Sequence, residues 1–161
     1  MVKKAIISLG YFAPEAPSPR PPEPYDVNKL LDLIEDGTPQ FRTEVCAFPR
    51  LPAEALERLA RDSDENVRQS LLLINRDLPA ELLIRVVEEF PEDYAFVSKH
   101  PNAPLYMSEQ CEVVRMPEVS LRAFLAAHNA NAAQTAAFLA MQLEPELTAG
   151  EAWKRVQHLS E

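Results

Sequence analysis

The stretch DSDENVRQSLLLINRDLPAELLIRVV, beginning at Asp62, stops and restarts its apolar helical pattern on a beat that recurs along the chain. Asp62, Ser63 and Asp64 precede one apolar run, and Asn75, Asp77 and Pro79 interrupt it before the next. The segment DGTPQFRTEVCAFPRLPAEALERLA, from Asp36, sets Asp36 on Asp62 and Phe41 and Arg42 on Val67 and Arg68, at an offset of 26. Leu51, Pro52, Ala53 and Glu54 then fall on Leu78, Pro79, Ala80 and Glu81, at 27. Further on, VSLRAFLAAHNAN puts Leu121 and Arg122 54 residues after Val67 and Arg68, and Asn129 54 after Asn75. A worn copy lies between, with Tyr94 to Val97 in the first-helix place and KHPNAPLYM in the turn and second helix. About four copies of a two-helix unit of 25 to 29 residues result. One such unit cannot bury its apolar face alone, so the copies are expected to stack around a continuous core.

Composition agrees with helices. Three Gly against 15 Pro leaves few residues for the positive-φ turns of hairpins, which argues against an all-β fold. Proline is compatible with helix starts, where no intrahelical donor is lost. Asp26 reads as the cap of a helix with apolar Val27, Leu30, Leu31 and Ile34, and Gly37 as its exit. Near the other end, Thr148 and Glu151 have capping-box spacing, with Trp153, Val156 and Leu159 on one face. The formal charge of −9 opposes phosphate-backbone binding, which rests on Lys and Arg. Cys46 and Cys111 have apolar neighbours and no CxxC spacing, which suits free thiols in a reducing cytoplasm. The start, MVKKAIISLGYFAPEA, reads as an ordered apolar segment rather than a signal peptide, because Pro14 follows the would-be cleavage residue Ala13. PEAPSPRPPEP, residues 14–24, reads as an extended strap. Two regions follow: an N-terminal arm over 1–25 and a helical region over 26–161. No stretch has the length and apolarity of a membrane span.

The unit D-x-x-x-x-[VF]-R, an apolar stretch, then L-P-x-E-x-L resembles the leucine-rich repeat variant family, a HEAT-like helical repeat, over roughly residues 36–140. The resemblance is clearest in LPAEALERLARDSDENVRQSLLLINRDLPAELL. It implies an α-helix paired with a second short helix, often 3₁₀, wound into a right-handed superhelix. A founding member of that family adds an iron–sulfur cluster held by a run of cysteines. This sequence has no such run, so no cofactor is implied.

Two groups of residues stand out. Arg42, Arg68 and Arg122 recur at one site per unit, with Asp36 and Asp62 each six residues before an Arg. They read as a ladder tying layers together; the competing reading is a row of guanidinium groups gripping a carboxylate or phosphate ligand. Glu88, Glu89, Glu92 and Asp93 cluster with Phe90 and Tyr94 where the worn copy begins. Aromatic anchors inside an acidic rim would suit a basic protein partner. His100, His128 and His158 lack metal-binding spacing, with His100 and His128 in similar post-helix places. No phosphate-cradling glycine loop or nucleophile motif occurs.

The expectation is therefore an all-α, right-handed solenoid of short helix pairs. It would be a cytoplasmic, non-enzymatic protein-binding module without cofactor or metal. An inhibitor, immunity protein or antitoxin-like neutraliser of a basic enzyme is its sharper form. The N-terminal arm is a possible route to a homodimer. Ligand binding or catalysis at the arginine row, and nucleic-acid binding by a basic stripe, are the alternatives.

Overall fold

The computed structural model describes residues 26–160, so the N-terminal arm and strap expected over 1–25 lie outside the described residues. The described chain is helical: α1 (Val27–Asp36), α2 (Pro39–Val45), α3 (Ala53–Ala60), α4 (Glu65–Ile74), α5 (Ala80–Glu89), α6 (Tyr94–Val97), α7 (Leu105–Ser108), α8 (Glu118–Ala127), α9 (Ala132–Ala140) and α10 (Ala149–Val156). Short 3₁₀ turns occupy Pro91–Asp93 and Val113–Arg115.

The helix starts follow from local chemistry. The Asp26 carboxylate accepts from the Lys29 N–H at 3.2 Å, the Thr38 hydroxyl from Phe41 at 3.2 Å and the Asp64 carboxylate from Asn66 at 2.9 Å. Each satisfies a donor that the first helical turn leaves free. Pro52, Pro79, Pro104 and Pro117 stand one residue ahead of α3, α5, α7 and α8. Their carbonyls each accept two N–H groups of the following turn, as Pro79 does from Leu82 and Leu83 at 3.1 and 3.2 Å. The repeated proline therefore sits at the cap rather than inside the helix, where its fixed φ sets the entry direction.

From α1 to α6 the helices alternate between two layers. α1 packs against α3 and α3 against α5, while α2 packs against α4 and α4 against α6. Equivalent positions of successive units fill the space between. Val45, Leu71 and Val97, spaced by 26, are all fully buried, as are Leu59 and its relative Val86, 27 residues on, to within 1%.

The expected continuous core is instead two apolar clusters. The first runs from Leu30 to Met107, and the second gathers Cys111, Val113, Leu121, Phe124, Phe138, Ala152 and Val156 among others. The worn third unit explains the break, because its second helix is only the four residues of α7 and carries too little apolar surface to extend the layer. A short antiparallel bridge of Glu112 and Thr148 closes the second cluster. There Val113 N–H donates to the Leu147 carbonyl at 2.9 Å and Ala149 N–H to the Cys111 carbonyl at 2.8 Å. The side-chain hydroxyl of Ser120, at the start of α8, donates to the Lys99 carbonyl of the preceding unit.

Candidate functional site

Between layers, arginine from one unit binds carboxylate from the next. Arg42 Nε and Nη2 donate to the two Asp62 oxygens at 2.6 and 3.0 Å, and Nη1 to the Gly37 carbonyl at 2.6 Å. The Asp62 carboxylate holds the Arg42 guanidinium above its ordinary pKa. One unit on, Arg68 Nε donates to Asp93 at 2.6 Å, Nη1 to the Asp62 carbonyl at 2.9 Å and Nη2 to Glu92 at 3.1 Å. The Arg68 guanidinium also lies 3.8 Å from the centre of the Phe90 ring, a cation–π contact. Arg68 and Asp93 are 3% and 0% exposed, so the pair is shut away from solvent.

This geometry redistributes the residues singled out in the sequence. Arg42, Asp62 and Arg68 form the ladder, but Asp36 is exposed at the end of α1 and takes no part in it. The rungs run from an arginine to the acid of the following layer, and Asp36 opens the first described layer. Arg122 is exposed and pairs within its own helix with Glu118, Nε donating at 3.0 Å. Asp93 belongs to the buried ladder, not to a solvent-facing acidic cluster. Glu92 and Phe90 are held by Arg68, and Tyr94 packs partly buried against the first core. Glu88 and Glu89 remain on the surface.

They belong to a charged face made by the outward stripes of α1, α3 and α5. Arg58 donates to Glu35 at 2.7 Å, Arg61 to Glu89 at 2.6 Å, and Arg85 to Glu57. Each pair crosses from one helix to the next, which places the three stripes side by side. A cleft of about 540 Å³ opens among them, lined by Ile34, Glu35, Arg42, Glu57, Arg58, Arg61, Asp62, Ser63 and Glu89. Because the arginines reach across to neighbouring helices, Glu54 and Glu81, four residues before Arg58 and Arg85, form no ion pair among the described residues, and neither do Asp32, Asp36 and Glu88. Helical spacing adds the exposed Lys29, Asp32, Asp36, Glu54, Glu81 and Glu88 to this face, which then has eight carboxylates, these five acids with Glu35, Glu57 and Glu89, against Lys29, Arg58, Arg61 and Arg85. Periodicity alone could have found Glu54 and Glu81, since both occupy the same place in their L-P-A-E motifs.

The histidines settle into structural positions. His100 is 3% exposed; its Nε2 lies 2.8 Å from the Asn75 carbonyl and its Nδ1 accepts from Asn102 N–H at 3.1 Å. A carbonyl only accepts, so Nε2 carries the proton and the ring is neutral; burial lowers its pKa. Asn75, the same position one unit earlier, accepts from Asp77 N–H at 3.0 Å. His128 stacks on Trp153 with ring centres 4.4 Å apart and meets Phe124 edge-on at 4.6 Å. Its Nε2 is buried without a hydrogen-bond partner among the described residues, 4.0 Å from Glu109. It borders a second cleft, of about 580 Å³, beside Glu109, Glu151, Trp153 and Lys154.

Cys46 and Cys111 are buried free thiols, and burial pushes Cys46 up to about 12. Among the described residues no three potential ligands gather to hold a metal, and no helix is long and apolar enough to cross a membrane. No protein-family model, curated protein or solved structure matches the chain.

Proposed function

We propose that this chain is a protein-interaction module, a helical-repeat solenoid of the leucine-rich repeat variant kind. Its α1–α3–α5 face receives a basic segment of another protein. The observation that carries this reading is the cross-helix pairing of Arg58, Arg61 and Arg85 with glutamates, which leaves the surplus charge of that face as carboxylate. The pairing also weighs against the two competing readings. A ligand-gripping arginine row needs free guanidinium groups, and Arg42 and Arg68 are committed to Asp62 and Asp93. A nucleic-acid surface needs a continuous basic stripe, and the arginines of this face are interleaved with acids. Two free buried thiols suit a reducing cytoplasm. Charge complementarity of this kind accelerates association and selects partners, which suits a neutraliser of a basic enzyme, such as an immunity or antitoxin-like protein.

The test is a nuclear magnetic resonance titration with an oligolysine peptide. Amide shifts are expected to cluster on α3 and α5 and to shrink in the Glu54→Lys, Glu81→Lys, Glu88→Lys variant. Shifts spread evenly over the chain, or centred on α8 to α10, would sink the reading.

A further inference from the structure

We propose that α9 is the contact surface of a homodimer, in which a second copy of this chain covers the apolar face that the described residues leave open. The proposal is independent of the acidic face, which lies on other helices.

Residues 129–143, NANAAQTAAFLAMQL, contain no Asp, Glu, Lys or Arg, although 25% of the chain is charged. A helix that is apolar all round is ordinarily buried, and apart from Gln134 and Thr135 the residues of α9 are apolar. Here Phe138 is the buried residue of α9, and Ala132, Ala136, Leu139 and Ala140 all point to solvent. Just beyond the helix, Leu143 is 90% exposed. Beside this stripe, between α8 and α9, lies a groove of about 430 Å³. Leu121 and Leu125, both buried, border it together with Leu139, and its remaining border includes the Glu118–Arg122 ion pair.

Charge selects the occupant. Two copies of a chain with net charge −9 repel each other across most approaches. At this face the helix brings no charge and the groove edge brings one carboxylate matched by one guanidinium. A basic partner suited to the acidic face would find nothing here to neutralise. The shape is also self-complementary. Leu143 protrudes next to a groove of its own copy, so in a two-fold contact each Leu143 can enter the groove of the other. The alanines let the two α9 helices approach closely, since interaxial distance is set by the side chains at the contact.

The test is the sedimentation-equilibrium mass of the full chain, alone and with Leu143→Asp or Ala136→Glu. The native chain is expected at twice its 18.1 kDa, and each variant at the single mass with an unchanged circular dichroism spectrum. As a second measurement, Ala136→Cys should give an oxidant-dependent covalent dimer. A monomer at the highest attainable concentration would overturn the proposal. So would a dimer that survives both substitutions, which would place the contact elsewhere, residues 1–25 included.

Discussion

Asp93 and Glu92 are adjacent acids that both touch Arg68, yet their surroundings give them different weights. Asp93 is fully buried and Glu92 is 58% exposed. Removing one member of a buried pair strands the other charge, at a cost of about 3–5 kcal/mol, whereas a solvated pair contributes about 0–1 kcal/mol. Asp93→Ala should therefore lower the urea-unfolding free energy by several kcal/mol, and Glu92→Ala should leave it nearly unchanged. His100 supplies a pH dependence at the same scale. Its folded pKa is lowered from 6.5 by burial, so on acidification the unfolded chain takes up a proton that the folded ring resists. The stability is full above pH 6.5 and is lost as pH falls toward the depressed folded value. His128, also lowered by burial, contributes with the same sign. His100→Asn keeps an acceptor like that of Asn75 but does not titrate. It should flatten the fall in stability below pH 6.5, measured by denaturant titrations at successive pH values, leaving the part due to His128.

At the scale of elements, Gly37 illustrates a right residue expected for a different reason. It stands at the exit of α1 as read from the sequence, but its φ is −74°, which any residue adopts. What it supplies is space: a Cβ there would lie 2.6 Å from Phe41 Cδ1 and 2.7 Å from the Leu33 carbonyl oxygen. Gly37→Ala should destabilise by about 1–3 kcal/mol through overpacking, read as a lowered urea midpoint with an unchanged slope. Among the described residues the left-handed positions are Arg50, Asn129 and Glu146, at φ 55°, 52° and 60°, with Asn129 in the turn between α8 and α9. Much at this scale was legible because it is local. The Asp26 cap and the Thr148–Glu151 capping box form as their spacing implied, with Glu151 N–H donating to the Thr148 hydroxyl at 3.3 Å and Glu151 accepting from Thr148 N–H at 3.1 Å. Leu30 and Ile34 turn inward as their periodicity required. The ladder was only half legible. Repeat alignment marks equivalent residues, whereas the ion pairs join non-equivalent ones in successive layers, 20 and 25 residues apart. Asp93 was obscured because it lies 31 residues after Asp62, outside the beat. Arg122 has no carboxylate to reach in the uncharged segment that follows it.

For the whole molecule, the two layers of α1 to α6 turn a weak sequence statistic, an excess of acids, into a located surface. The beat of the sequence brings Glu54 and Glu81 to the same place in neighbouring units, and the cross-helix arginine pairs leave them unmatched. The interruption at α7 then separates this face from the second apolar cluster, whose open surface is uncharged. The division was not legible because the worn third unit keeps the spacing of the repeat while losing the length of its helix. The most direct measurement is capture of partners from host lysate by the native chain, by the Glu54→Lys, Glu81→Lys, Glu88→Lys variant, and by Glu44→Lys as a control on α2 in the other layer. One stoichiometric basic protein is expected, retained by the control and lost with the triple variant. A partner that binds the triple variant as well as the native chain, or no partner at all, would contradict it.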